Sequence, residues 1–181
     1  MEKLADNTIV YQVLEGNTEV FRFIVERYSG ILYNMIVRMV DCSEDAEDLL
    51  QEVFIKVYNK LSSFHGDSSF GTWIYRVAYN ETVTRLRKNK RVLMALPLNE
   101  TILESDDLAD EDDSEMQYRL EDLKRALDKL PPLDRNMLMM FYQEDKDVKE
   151  IAHISNLSES NVKVRLFRLR KKLKELMTAS I

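Results

Sequence analysis

Cysteine occurs once among the 181 residues, as Cys42, so neither an internal disulfide nor a multi-cysteine zinc site can form. Glycine (4) and proline (3) are too scarce for the many tight turns of an all-β sandwich, which favours helices. No apolar run approaches the ~20 residues that cross a bilayer, and no apolar stretch follows a basic start as a secretory signal would. There is no glycine-rich phosphate loop and no credible set of nucleophile, base and orienting group. The two histidines, His65 and His153, stand isolated. These absences predict a cytoplasmic, all-helical protein without membrane insertion, and with no cofactor, metal or catalytic residue.

What is present is charge, unevenly placed. The formal net charge is −6, from 26 bases and 32 acids, which alone argues weakly against a nucleic-acid partner. Between Asn99 and Glu115, however, lie nine acids and no base. Residues 1–98 carry −1, and residues 116–181 carry +4. One basic cluster comprises Arg85, Arg87, Lys88, Lys90 and Arg91. A second runs from Lys163 to Lys174 with seven bases and no acid. Two basic patches separated by an acidic stretch are an asymmetry that accompanies nucleic-acid binding.

Apolar spacing predicts the elements. Thr18 can cap a helix with Phe21, Ile24, Val25, Tyr28, Leu32, Met35, Ile36 and Met39 on its apolar side. Ser43 can cap a second, whose Ala46, Leu49, Leu50, Val53, Phe54, Val57, Tyr58 and Leu61 mark one face. Residues 62–69, with Gly66, read as a loop. A third helix follows, with Phe70, Trp73, Ile74 and Val77 inward, and the three helices form a compact bundle. The acidic stretch reads as a solvated, self-repelling linker. Beyond it, Leu120, Leu123, Leu127 and Leu130 mark a helix stopped by Pro131 and Pro132. A second spans about Leu133 to Tyr142. Asp147 and Glu150 form a capping box for a short third helix through His153. Ser155–Leu157 is a turn, and Ser158 caps a long final helix with Val162, Leu166, Leu169, Leu173 and Leu176 inward. Short helix, turn and long basic helix read as a helix-turn-helix. The fold class is all-α: an N-terminal helical bundle (1–94), an acidic linker (95–115) and a C-terminal helix-turn-helix domain (116–181).

Each surface admits a functional and a bland reading. Early in the last helix, Ser160, Lys163, Val164, Phe167 and Arg168 lie partly off the core stripe, where a recognition helix meets base edges. Lys163 and Arg168 suit guanine acceptors and Val164 a thymine methyl. Arg170, Lys171, Lys172 and Lys174 suit phosphates, or simply the electronegative end of a helix. On the third helix, the side opposite the predicted core shows Tyr75, Arg76, Tyr79 and Asn80: rings, a cation and an amide for unstacked nucleotides. Phe64 adds a wall for an extruded base. The alternative is tyrosines lying over neighbouring helices, which spacing alone favours. The second helix presents Asp45, Glu47, Asp48, Gln51 and Glu52, which without a nearby histidine suit a solvated face or a basic partner better than a metal.

The segments Asp45–Tyr58 and Phe64–Asn80 resemble region 2 of the extracytoplasmic-function (ECF) sigma factors. Leu127–Arg135, Glu150–Ala152 and Ser158–Arg170 resemble region 4. The resemblance covers nearly the whole chain outside the linker. It implies a non-enzymatic subunit that directs core RNA polymerase to promoters. Asp48, Leu49, Gln51, Glu52 and Phe54 would dock on the clamp helices of the β′ subunit. Ser63, Phe64, His65, Tyr75, Arg76, Tyr79, Asn80, Arg85, Arg87 and Lys88 would engage the −10 element of promoter DNA and capture a flipped base. Ser160, Asn161, Lys163, Val164, Arg165, Phe167, Arg168, Lys171 and Lys172 would read the −35 duplex, with region 4 also touching the β flap. Members are often held inactive by an anti-sigma factor. The chain departs from the family at three points. The turn at Ser155–Leu157 lacks a common glycine, Val164 stands where a small polar residue is usual, and His65 where a base is frequent. The competing reading is a self-sufficient DNA-binding regulator whose N-terminal bundle senses a signal or dimerises.

Overall fold

The computed structural model describes residues 5–88 and 116–178. The described helices fall into two compact units divided near residue 92. The predicted linker, and with it the domain boundaries at 94 and 115, lies outside the described residues.

The first unit holds α1 (Asp6–Leu14), α2 (Phe21–Val40), α3 (Ser43–Lys60) and α4 (Phe70–Lys88). Three of these match the apolar spacing. The short α1 is an addition, and its signal is the spacing of Ile9, Val10 and Val13, all buried. Arg27 forms an ion pair with Asp6, and the Tyr28 hydroxyl donates to the other Asp6 oxygen at 2.6 Å, tying α1 to α2. Burial first, and then that hydrogen bond, raise the Tyr28 pKa well above its ordinary value. A β-carbon at Gly71 would stand 3.4 Å from the Tyr28 hydroxyl, an ordinary van der Waals contact.

The core between α2, α3 and α4 contains Leu32, Met35, Ile36, Leu49, Val53, Val57 and Ile74. Two expected caps are corrected. Thr18 opens a 3-10 turn through Val20 that leads into α2, and Cys42, not Ser43, holds the capping position of α3; neither junction has a side-chain cap. The loop after α3 begins as a second 3-10 turn, Leu61–Ser63. Gly66 sits at φ +83°, a conformation open to glycine without steric cost. Ser69 then caps α4, its Oγ accepting from the Thr72 N–H at 3.1 Å.

The second unit holds α5 (Met116–Asp128), α6 (Pro132–Tyr142), most of α7 (Val148–Ser155), and α8 (Glu159–Thr178). Pro132 occupies the first turn of α6, where its missing N–H costs no helical hydrogen bond. The capping box forms as predicted: the Glu150 N–H donates to Asp147 Oδ1 at 2.7 Å, and the Asp147 N–H to Glu150 Oε2 at 3.3 Å. Ser158 Oγ accepts from the Asn161 N–H at 3.2 Å and caps α8. Between them Asn156 adopts φ +58°, and the Leu157 N–H closes back on the Ala152 carbonyl at 3.1 Å. Asparagine tolerates this left-handed conformation, so the turn forms without the glycine. Val162, Leu166 and Leu169 are buried along α8 as the spacing required, while Leu173 and Leu176, expected to follow them inward, are only half-buried.

Candidate nucleic-acid and docking surfaces

On α3 the sequence pattern separates into two faces. Asp48, Gln51 and Glu52 are exposed, as are Asp45 and Glu47. Leu49 and Phe54 are buried. Both were expected at the polymerase interface; here they lie on the apolar stripe facing the helical core, beneath the row that remains outside. Sequence reasoning also missed Ile55, 64% exposed. Its signal was an apolar residue off the stripe. Tyr58 is partly exposed and meets Phe21 edge-on with centroids 5.2 Å apart.

On α4 the burial is rotated from the predicted face. Tyr75 and Tyr79 are buried, together with Thr72, Ala78, Thr82 and Leu86. Trp73 and Val77 are only half-buried. The helix packs on both α2 and α3, so its inward arc is wide and takes in tyrosines that a hydropathy pattern counts as polar. Threonine fits for a similar reason: buried Thr82 donates its hydroxyl to the Ala78 carbonyl at 2.8 Å. The exposed stacking face of Tyr75 and Tyr79 is therefore overturned. Asn80 is exposed and Arg76 half-buried.

Aromatic surface gathers instead at the root of the 61–69 loop. Phe64 packs against Phe70 at 5.2 Å and Trp73 at 5.6 Å, and Tyr28 approaches Phe70 at 5.8 Å. Phe64 is half-buried, while Ser63 and His65 beside it are exposed. At the far end of α4, Arg87 and Lys88 are exposed. Arg85 is engaged by Glu52, its Nη2 donating to the two carboxylate oxygens at 2.6 and 2.7 Å. That hydrogen bond is the first cause of a raised Arg85 pKa.

On α8, Ser160, Lys163, Lys171 and Lys172 are exposed, while Asn161, Val164, Phe167 and Arg168 are half-buried. Arg165 is different. Its Nε donates at 2.7 Å to Oδ1 of Asp134, which is fully buried, and its own side chain is largely covered. Arg165, expected at the −35 duplex, is paired here with an interior acid: a buried carboxylate needs a paired charge, and this base supplies it from inside the unit. Cluster membership alone could not separate it from Lys163 or Arg168.

Among the described residues, no group of three or more His, Cys, Asp or Glu side chains is placed to hold a metal. None of their helices is long and apolar enough to cross a membrane.

The order of these surfaces along the chain matches two family models: Sigma-70 region 2 over residues 24–92, and Sigma-70 region 4 over residues 120–173. The chain belongs to the ECF sigma factors. It is 31% identical to ECF RNA polymerase sigma factor SigW of Bacillus subtilis (strain 168) over 180 residues, covering 92% of this chain and 96% of that one. It is 30% identical to the ECF RNA polymerase sigma-E factor of Escherichia coli (strain K12) over 177 residues, covering 93% and 92%. In fold, it resembles CnrH as solved in complex with the cytosolic domain of CnrY, with a TM-score of 0.68 at 22% identity, covering 98% of this chain and 100% of that chain. RpoE from Bartonella quintana, solved with NepR, gives 0.63 at 23% identity, covering 87% and 96%. In the sigma factor described here, α3 and α4 lie within the region 2 match and α8 begins within the region 4 match.

Proposed function

We propose that this sigma factor divides promoter recognition between its two units. As an ECF sigma factor, it binds core RNA polymerase and directs promoter-specific initiation, without itself catalysing a reaction. Residues 1–94 act as region 2, 95–115 as the acidic linker and 116–181 as region 4, and the protein works in the cytoplasm. Asp48, Gln51 and Glu52 meet the β′ clamp helices, and region 4 touches the β flap. The loop bearing Ser63, Phe64 and His65, with Arg76, Asn80, Arg87 and Lys88 of α4, meets the −10 element. Ser160, Asn161, Lys163, Val164, Phe167 and Arg168 meet the −35 duplex, and Lys171 and Lys172 its phosphates. Region 2 of this reading rests on one observation: α3 keeps Asp48, Gln51 and Glu52 exposed while Leu49 and Phe54 anchor it from beneath. A partner that holds the factor inactive is part of the same reading, since the B. quintana RpoE of like fold is solved in complex with the anti-sigma factor NepR.

The test is reconstitution. Core polymerase supplied with this chain should initiate on a restricted set from a promoter library, while the chain alone binds duplex promoter weakly. Tight, sequence-selective operator binding without polymerase would favour the autonomous regulator. Asp48→Arg should lower affinity for core enzyme by roughly tenfold, because it sets a like charge against a basic surface, and should leave folding intact. Unchanged affinity would remove Asp48 from the docking row.

A further inference from the structure

Four charges join α3 to α4 near their solvent edge. Glu52 and Lys56 stand one turn apart on α3, and Glu81 and Arg85 one turn apart on α4. They pair crosswise with opposite polarity: Arg85 holds both oxygens of Glu52, and Lys56 forms an ion pair with Glu81. The Glu52–Arg85 pair is accessible, its side chains retaining 53% and 35% of their exposure.

Glu52 belongs to the row assigned to polymerase docking, and Arg85 stands beside the exposed Arg87 and Lys88 assigned to DNA. While the two are joined, each lowers the charge that the other presents. An incoming cation meets a carboxylate already holding a guanidinium, and a DNA phosphate meets a guanidinium already drawn toward a carboxylate.

We propose that the Glu52–Arg85 pair is a latch coupling polymerase docking to DNA engagement, in which a basic partner residue at Glu52 displaces Arg85 and frees it for the DNA backbone. The coupling is reciprocal, so phosphate on Arg85 makes Glu52 a better acceptor for that partner by the same factor. Opening is local. Lys56–Glu81 and buried Thr82 and Leu86 keep α4 against its neighbours when Arg85 leaves. An accessible pair of this kind is weak, so the factor is about two- to fivefold, enough to bias a choice without locking it. This inference rests on the docking and DNA assignments above.

The test omits polymerase and uses the full chain with a labelled forked DNA of unbiased sequence, titrated at several salt concentrations. Glu52→Gln should bind about two- to fivefold more tightly than wild type and steepen the salt dependence by roughly one phosphate contact. Glu47→Gln makes the same change in net charge on an exposed part of α3, and should leave affinity within a smaller margin. Adding Arg85→Gln to Glu52→Gln should abolish the gain. The latch is overturned if Glu52→Gln binds DNA as wild type does, if Glu47→Gln gains as much, or if the gain survives loss of Arg85. Because none of these readouts contains polymerase, failure here leaves the docking assignment standing. Failure of that assignment would appear instead as core enzyme indifferent to Asp48→Arg.

Discussion

The two units differ in whether a charge goes inside. In the first, ion pairs lie where water still reaches them: Asp6 with Arg27, Lys56 with Glu81, Glu52 with Arg85. Its interior takes hydroxyls instead, from Thr72, Thr82, Tyr75 and Tyr79. In the second, an acid is fully buried and Arg165 follows it inward, while Lys163, Lys171 and Lys172 stay outside. A basic residue is therefore no guide to its own role. Arg165 and Lys163 are two positions apart in one cluster, and only one of them faces solvent.

The largest effect expected from testing this contrast comes from the interior tyrosines. Tyr75→Ala should cost about 3–5 kcal/mol of first-unit stability, as removal of a buried ring does. Denaturant melts followed by Trp73 fluorescence would measure it, since the single tryptophan lies in that unit and packs on Phe64 and Phe70. A fully stable Tyr75→Ala with impaired DNA capture would restore this side chain to the surface. Next is the buried charge. Asp134→Ala should destabilise the second unit by about 3 kcal/mol, because Arg165 then stays covered without its partner. Circular dichroism should show this loss while the Trp73 transition holds its place, and a shift of both together would mean the units do not unfold separately.

Smaller effects sharpen the comparison on the outside. Arg168→Ala should reduce discrimination at the −35 element by roughly 1–3 kcal/mol if the side chain reads a base. Binding to matched and mismatched duplexes by the holoenzyme decides it, because a uniform loss across sequences marks a phosphate contact. Asp147→Ala should cost about 1 kcal/mol of second-unit stability by removing one half of the capping box. No measurable loss would mean that the Glu150 half suffices.

The fold was legible wherever a local rule acts alone. The stripes of α2, α3 and α8 follow from helical periodicity, and the caps at Asp147 and Ser158 from side chains reaching N–H groups three residues away. The exposed Asp48, Gln51 and Glu52 were also legible, as polar residues off an unbroken apolar stripe. The inner face of α4 was not. Tyrosine and threonine can go inside once their hydroxyls have partners, and packing on two neighbouring helices decides where those partners stand. The burial of Leu49 and Phe54 agrees with their place on the apolar stripe, whereas family resemblance supplies the docking helix without dividing its face from its anchor.

By itself the sequence determined an all-helical chain, the stretch between its basic clusters and the membership of a family, because spacing, composition and motif order are properties of neighbours along the chain. Tertiary structure alone decided which tyrosines are core, which arginine pairs with a buried acid and which carboxylate is already engaged. Those outcomes depend on groups 31 residues apart, as for Arg165 and Asp134, or 33 apart, as for Arg85 and Glu52. Burial and pairing at such separations are set by how helices pack, and no local pattern records them.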